Sequence, residues 1–165
     1  MPYIDTLTAK FGADAFATAE FRGNQRILMR DGSQLTAFMT CLKNECMFDM
    51  LAELTCVDYL NYPGARDRYG VIYGLTNTNT GERVFIKAFL NDPDPKIASV
   101  VPLWGGANWL EREVYDMYGI VFTGHPDLRR ILLPPEFVSH PLRKDYPMRG
   151  RGERHNFPII TRADS

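Results

Sequence analysis

Four ionisable side chains between positions 111 and 125 could do acid–base chemistry. Glu111, Glu113 and Asp116 are carboxylates that lie within six residues, and His125 follows them. Paired carboxylates catalyse hydrolysis when one holds a proton and the other is ionised. No nucleophile motif or pocket signal accompanies these residues. A structural role, with the carboxylates held in ion pairs, is therefore the favoured interpretation.

A metal site is the second chemical possibility in this region. Its potential ligands are His125, Asp127, His140 and His155. Two of these histidines precede proline, and none has the close spacing of a ligand pair. The three cysteines are Cys41, Cys46 and Cys56. They lack CxxC spacing and are odd in number, so we predict free, mostly buried thiols and neither a zinc nor an iron–sulfur site.

The carboxylates lie in a predicted helix of about residues 109–118. Asn108 is a typical N-cap residue, and Glu111 three positions later completes a capping box. Gly119 is a typical residue just past a helix end. Apolar or aromatic side chains occupy several sides of this helix, so we predict burial on more than one side.

A buried carboxylate must be paired or hydrogen-bonded. The arginines closest in sequence are the expected partners, because a planar guanidinium holds a carboxylate at two points. They are Arg112, Arg129 and Arg130.

The rest of the chain predicts a two-layer α+β domain. Predicted helices cover residues 4–11 and a stretch capped by Ser33, where Leu35, Phe38, Met39, Leu42 and Cys46 form an apolar stripe typical of a core. The predicted strands are residues 15–21, 25–29, 55–58 (after a helical turn from 48), 69–76 and 83–90, and residues 97–103 form a short helix or an edge segment. Neighbouring strand pairs with helices on one side indicate a mixed or antiparallel sheet packed by helices.

Charge divides the chain into two parts. Residues 1–128 carry 11 basic and 16 acidic side chains, whereas residues 129–165 carry eight and four. We predict a folded domain over 1–128 and an extended C-terminal segment over 129–165, interrupted by Pro135 and Pro141. That segment either folds back on the acidic domain or lies on an acidic partner.

Several functional classes are disfavoured by composition. The net charge of −1 gives no general attraction to nucleic acid, and aromatic residues are too sparse among the C-terminal cations for a known nucleic-acid module. The first residues lack the pattern of a signal peptide, and no apolar stretch approaches the roughly 20 residues of a membrane helix. If the protein works at a membrane, something other than a membrane helix of this chain must anchor it.

Three blocks of sequence closely resemble one known family. They are residues 111–120, 124–132 and 140–147, reading EREVYDMYGI, GHPDLRRIL and HPLRKDYP. With this spacing the chain is similar to the C-subunit family of the proton-pumping NADH-quinone oxidoreductases, respiratory complex I.

The resemblance implies a hydrophilic α+β subunit of the peripheral arm that carries no cofactor. NADH, FMN, iron–sulfur clusters and quinone would be bound by other subunits. The implied partners are the D subunit of the quinone site, which the C-terminal segment would wrap, neighbouring iron–sulfur subunits and, indirectly, the membrane arm. The implied location is the cytoplasmic face of the bacterial inner membrane. Related complexes that use ferredoxin, or membrane hydrogenases, remain alternatives, as does a standalone hydrolase.

We assign a structural or interface role to twelve residues, and no catalytic, cofactor-binding or metal-binding role to any. They are Glu111, Arg112, Glu113, Asp116, His125, Arg129, Arg130, His140, Arg143, Lys144, Asp145 and Tyr146.

Overall fold

The fold is a five-stranded sheet with three helices packed on one of its faces. The computed structural model describes residues 2–153. Its elements in chain order are α1 Pro2–Phe11, β1 Phe16–Phe21, β2 Asn24–Met29, α2 Leu35–Asn44, β3 Met50–Asp58, β4 Tyr69–Thr76, β5 Arg83–Leu90, β6 Lys96–Ala98, α3 Ala107–Tyr118 and β7 Val121–Thr123. The predicted α+β class is confirmed.

The sheet is mixed, with the strand order β1-β2-β5-β4-β3. The predicted hairpins β1–β2 and β4–β5 are antiparallel pairs, and β3 pairs antiparallel with β4. The one parallel contact in this sheet, β2 with β5, joins the two hairpins. A separate parallel pair, β6 with β7, flanks α3.

The core lies between the sheet and the helices. Alternate residues of the central strands point toward the helices, because successive side chains of a strand face opposite sides. On β4 these include Tyr69, Val71, Tyr73 and Leu75, all almost fully buried. The predicted apolar stripe of α2 meets them. Its members Leu35, Phe38, Met39 and Leu42 are buried, which confirms the core interpretation for these four. The fifth predicted member, Cys46, lies beyond the end of α2 and is half-buried.

Two local predictions in the first half are wrong. β3 begins at Met50, so the expected helical turn before residue 55 is absent, because the strand pairs with β4 along its whole length. Ser33 does not cap α2. Instead Asp31 accepts the backbone N–H of Ser33 at 2.8 Å and caps the short 3-10 turn that precedes the helix.

The two ends of α3 differ in how well they were predicted. The helix begins at Ala107 with Gly106 in the cap position and no side-chain cap, so the predicted capping box is wrong. The Glu111 side chain is turned into the interior and is not available for the helix start. Gly119 ends the helix in the left-handed conformation (φ 74°), as predicted.

The cysteines behave as expected from their spacing. All three are free thiols, with Cys41 and Cys56 buried and Cys46 half-buried.

Candidate functional site

Helix α3 carries four of the twelve candidate residues and lies against β3 on the helical face of the sheet. Residues 129–153, which we call the C-terminal segment, pass across the carboxyl end of this helix, and residues 129–152 form no helix or strand. The absence of regular structure between residues 134 and 147 was predicted from the prolines.

Asp116 is the centre of the contact between α3 and the C-terminal segment. Its side chain is fully buried, and its Oδ1 forms a 2.6 Å ion pair with Nη1 of Arg130. Its Oδ2 accepts three successive backbone N–H groups at 2.8–3.0 Å, from residues 131–133. Burial alone would raise the pKa of this carboxyl, but the backbone donors and Arg130 outweigh burial and lower it.

The C-terminal segment also satisfies the last carbonyls of α3, residues 116–118. Nδ1 of His140 donates to the first at 3.0 Å, the Leu142 N–H to the second at 3.1 Å, and Nε of Arg143 to the third at 2.6 Å. A helix end leaves such carbonyls without partners inside the helix. Cations there are further favoured by the helix dipole. The segment therefore acts as the C-terminal cap of α3.

Glycine at position 119 permits this close approach. A Cβ at Gly119 would lie 2.6 Å from the His140 ring and 3.0 Å from Nη2 of Arg143. Its positive φ is also unfavourable for any side chain. Chain geometry and packing thus both require glycine at the end of α3.

Glu111 is buried differently and is not part of an ion pair. Its two oxygens accept 2.7 Å hydrogen bonds from the Ser99 hydroxyl and the Val100 N–H. No cation pairs with it within residues 2–153, so burial dominates and raises its pKa to about 7. The predicted pairing of Glu111 with arginine is therefore wrong. The hydroxyl of nearby Tyr73, fully buried, has no hydrogen-bond partner in the same range.

Two other predicted ion-pair partners have different roles. Arg112 donates 3.1 Å hydrogen bonds to the backbone carbonyls of Arg129 and Arg130, which fixes the start of the C-terminal segment. The Arg129 side chain pairs with Asp127 at 2.9 Å on the exposed surface. Neither meets the helix carboxylates, and Glu113 is exposed. Of the predicted guanidinium partners, Arg130 alone pairs with a carboxylate of α3 in the described range.

His125 has both ring nitrogens engaged. Its Nε2 lies 3.2 Å from the Asn108 carbonyl, and its Nδ1 accepts the Asp127 N–H at 3.0 Å. No cluster of metal-binding side chains occurs in residues 2–153. The fourth residue of the metal possibility, His155, lies outside the described residues.

A second buried carboxylate, Asp58 at the end of β3, holds the C-terminal segment further along. Its Oδ2 accepts the Lys144 N–H at 2.9 Å and an N–H of Arg68 at 3.2 Å. Arg68 also pairs with Asp145 at 2.9 Å and with Asp92. Burial raises the pKa of Asp58, but these donors outweigh it and lower the pKa. Neither Asp58 nor Arg68 was among the predicted residues. The signal that could have identified Asp58 is a carboxylate at a strand position that faces the core.

The described end of the segment is closed by a small cluster. The Tyr146 hydroxyl donates to Glu153 at 3.0 Å, and the rings of Tyr146 and Phe137 lie 6.1 Å apart. Glu153 is buried and accepts the Arg151 N–H at 2.7 Å.

The acid–base candidates of α3 point in different directions. Glu111 faces the interior, Glu113 faces solvent and Asp116 is enclosed by donors from the C-terminal segment. None of the five surface pockets described within residues 2–153 is lined by these residues or by His125. One of them is lined by four other predicted residues, His140, Arg143, Asp145 and Tyr146. Glu111, Glu113, Asp116 and His125 therefore do not line a common pocket among those described.

Comparison with known proteins decides the family. Residues 28–152 match the family model described as "Respiratory-chain NADH dehydrogenase, 30 Kd subunit". The chain belongs to this family. It is 44% identical over 149 residues to the C subunit of the NADH-quinone oxidoreductase of Trichlorobacter lovleyi, covering 90% of each chain. As a member of this family, it is a subunit of an NADH-quinone oxidoreductase, an oxidoreductase complex of respiratory electron transport.

Two solved structures have a fold similar to that of this chain. A trypsin-resistant fragment of Nqo5 matches 76% of this chain and 99% of its own length, at 34% identity and a TM-score of 0.68. A chain of an archaeal membrane-bound sulfane sulfur reductase matches 98% of this chain and 92% of its own at a TM-score of 0.75. At 22% identity, that second match shows the fold alone. Within residues 2–153, no helix has the length and apolar character needed to cross a membrane.

Proposed function

We propose that this chain is a structural subunit of the peripheral arm of a proton-translocating NADH-quinone oxidoreductase. It docks on the quinone-site subunit at the cytoplasmic face of the bacterial inner membrane and carries no cofactor of its own. Its role is to hold neighbouring subunits in place while they transfer electrons.

The observation that carries this proposal is the two-sided character of the C-terminal segment. Arg130, Arg143 and several backbone N–H groups of the segment point inward, where they bind Asp116, Asp58 and the end of α3. Large apolar side chains of the same segment are left in solvent. They are Ile131, Leu132, Val138, Leu142 and Met148, with exposures from 37% to full exposure. Several large apolar side chains exposed within one short segment are typical of a protein interface.

The same contacts support a role without a resident cofactor. The buried carboxylates and the His125 and His140 rings are used in hydrogen bonds within the chain. Side chains that are hydrogen-bonded within the chain hold its backbone in place, and few donors or ligands are then left to bind a cofactor.

The predicted wrapping of a partner by residues 129–165 stays part of this proposal. Through residue 153 the segment lies on its own domain and presents one side outward. A permanent assembly buries about 2,000–5,000 Å² in total. We infer that the exposed apolar side of residues 129–153 supplies part of that area. The rest of this prediction falls on residues 154–165, which lie outside the described residues.

Limited trypsin digestion tests the proposal. The structure that resembles this chain at 34% identity is a trypsin-resistant fragment of Nqo5. We expect trypsin to cleave the isolated chain after Arg149 and Arg151, and the purified complex to resist cleavage there. Arg66, in the exposed loop between β3 and β4, provides a comparison site in a different part of the surface. Equal resistance at Arg149 and Arg151 in both samples would contradict the proposal.

A further inference from the structure

The outer face of the sheet forms an open groove that no helix of residues 2–153 covers. All three helices pack on the opposite face, where the buried core lies. Side chains from β2, β4 and β5 make an apolar floor of Leu28, Ile72 and Phe85. The residues that line this groove come from strands and their connections. We call it the outer groove.

Two glycines on the central strand shape the floor of the outer groove. A Cβ at Gly70 would lie 2.6 Å from Cε of Lys87, and a Cβ at Gly74 would lie 3.2 Å from the Phe85 ring. Gly70 and Gly74 flank Ile72 on the same side of β4, because alternate residues share a face. The glycines therefore let Lys87 and Phe85 lie flat across β4, which keeps the groove shallow and broad.

Cations surround this apolar floor and are held by aromatic rings. The Arg22 and Arg26 guanidinium carbons lie 5.1 and 4.3 Å from the centre of the Phe21 ring. Nζ of Lys87 lies 4.3 Å from the Tyr59 ring centre and hydrogen-bonds the Tyr59 hydroxyl. Such stacking orients a cation at small energetic cost and leaves its charge available.

These cations have no acidic partner in the described part of the chain. Within residues 2–153 none of Arg22, Arg26 and Lys87 forms an ion pair. Glu53 is the single carboxylate among the residues that line the outer groove. The groove is therefore basic on a chain whose net charge is −1.

We propose that the outer groove is a docking site for an acidic, apolar segment of another subunit of the same complex. Apolar side chains of that segment would cover Leu28, Ile72 and Phe85, and its carboxylates would pair with Arg26 and Lys87. Complementary charge at the rim fixes orientation and excludes wrong partners, while the apolar centre supplies the buried area. This inference rests on the proposed function, because it requires that the chain is part of a multisubunit complex. The outer groove is separate from the C-terminal segment, which lies on the helical side of the sheet.

A protein segment fits the outer groove better than a nucleic acid does. Cations and aromatic rings on a sheet face are also found in single-strand RNA-binding domains, where bases stack on exposed rings. Here two of the three floor residues, Leu28 and Ile72, are aliphatic. The rings of Phe21 and Tyr59 are already stacked with cations of the chain, which leaves Phe85, in the described part of the chain, as the one ring of the groove lining without a stacked cation. Glu53 would also repel a phosphate backbone.

Lysine labelling of the purified complex and of the isolated chain tests this site. We expect acetylation of Lys87 by an N-hydroxysuccinimide ester to fall by about tenfold or more in the complex, since an interface core excludes solvent. A zero-length carbodiimide should join Lys87 to an Asp or Glu of another subunit. Lys144, exposed in the C-terminal segment, reports separately on the proposed function. Protection of Lys144 with unchanged labelling of Lys87 would overturn the outer-groove site and leave the proposed function intact.

Charge reversal provides the second arm of the test. Arg26→Glu with Lys87→Glu should lower the amount of assembled complex, whereas Arg30→Glu with Lys96→Glu, at exposed positions outside the groove, should not. Circular dichroism and thermal unfolding of the isolated chains establish that both variants fold. Normal assembly of the Arg26/Lys87 variant would overturn the proposal. Salt-sensitive binding of a short single-stranded RNA by the isolated chain, lost in that variant, would also overturn it in favour of a nucleic acid.

Discussion

Two carboxylates of α3 show how the number and type of donors decide the charge of a buried acid. Asp116 meets one guanidinium and three backbone N–H groups, and its pKa is lowered. Glu111, five residues earlier and equally buried, meets one hydroxyl and one N–H, and its pKa is raised to about 7. Without a cation, two neutral donors do not compensate for the loss of water.

The raised pKa of Glu111 predicts a specific pH dependence of stability. Below its ordinary pKa of 4.5 the carboxyl is protonated in both folded and unfolded chains, so it carries no penalty. As pH rises from 4.5 to about 7 the unfolded chain loses the proton first, and folding is destabilised by up to about 3 kcal/mol. We expect Glu111→Gln to remove this decline, so that its unfolding free energy relative to the native chain rises across that interval.

Urea unfolding at several pH values measures this effect. Glu113→Gln is the matched control, because it removes a carboxylate from an exposed position on the same helix. A constant difference between Glu111→Gln and the native chain across the whole interval would show that Glu111 does not resist ionisation in the folded state.

At the scale of elements, the end of α3 and the C-terminal segment form one unit. Gly119→Ala should disrupt it in two ways. The left-handed backbone conformation costs about 1–2 kcal/mol with a side chain present. The new Cβ would also displace His140 and its hydrogen bond, worth about 1 kcal/mol more.

Gly124→Ala separates these two effects in thermal or urea unfolding. Gly124 has a similar φ of 83° but open space around its Cβ position, so it should show the backbone cost alone. Equal destabilisation by Gly119→Ala and Gly124→Ala would mean that the His140 contact contributes nothing.

The sequence could predict the elements that depend on local pattern. The helical stripe of α2, the hairpin of β4 and β5, and the glycine at the end of α3 each follow from spacing or from one residue's conformational preference. The sequence predicted only the second half of β3, because its apolar residues form a continuous run. The length of the strand is set by its pairing with β4. Glu111 also fits the capping-box pattern of a helix start. In the structure its side chain instead points into the interior and accepts a hydrogen bond from the Ser99 hydroxyl.

Long-range contacts of the site could not be predicted in the same way. The sequence indicated that buried carboxylates need partners, and Arg130 was among those expected for Asp116. The three backbone donors to Asp116 depend on a turn conformation that no residue pattern specified. The bond from Lys144 to Asp58 joins positions 86 residues apart, so only the folded chain reveals it.

For the whole molecule, ion pairs and backbone hydrogen bonds join the C-terminal segment to the rest of the domain. In the described range the C-terminal segment folds back on the acidic domain, one of the two arrangements that the charge pattern allowed. The segment contributes both a cation and an anion to the ion pairs between the two parts. Its Arg130 pairs with Asp116, and its Asp145 pairs with Arg68. The segment is therefore positioned by the domain before any partner is present.

This positioning predicts how variants affect the complex. Asp116→Ala leaves Arg130 and three backbone donors unpaired, which costs about 3–5 kcal/mol. Arg112→Ala removes two hydrogen bonds to the start of the segment, worth about 1–3 kcal/mol together. We expect both to lower the abundance of the assembled complex on native gels, with NADH:quinone turnover per assembled complex unchanged.

Asp127→Ala is the control for these two variants, because it breaks only the exposed pair with Arg129, worth at most about 1 kcal/mol. Normal abundance of the Asp116→Ala or Arg112→Ala complex with a specific loss of turnover would instead favour a catalytic role.

The capping of α3 by the C-terminal segment has a consequence for how the protein is made. Synthesis proceeds from the amino end, so residues 116–118 leave the ribosome before their partners His140, Leu142 and Arg143. Until then the last carbonyls of α3 face water and Asp116 lacks Arg130. The newborn domain can form its hairpins early, but α3 acquires its C-terminal cap only after residues 140–143 have left the ribosome.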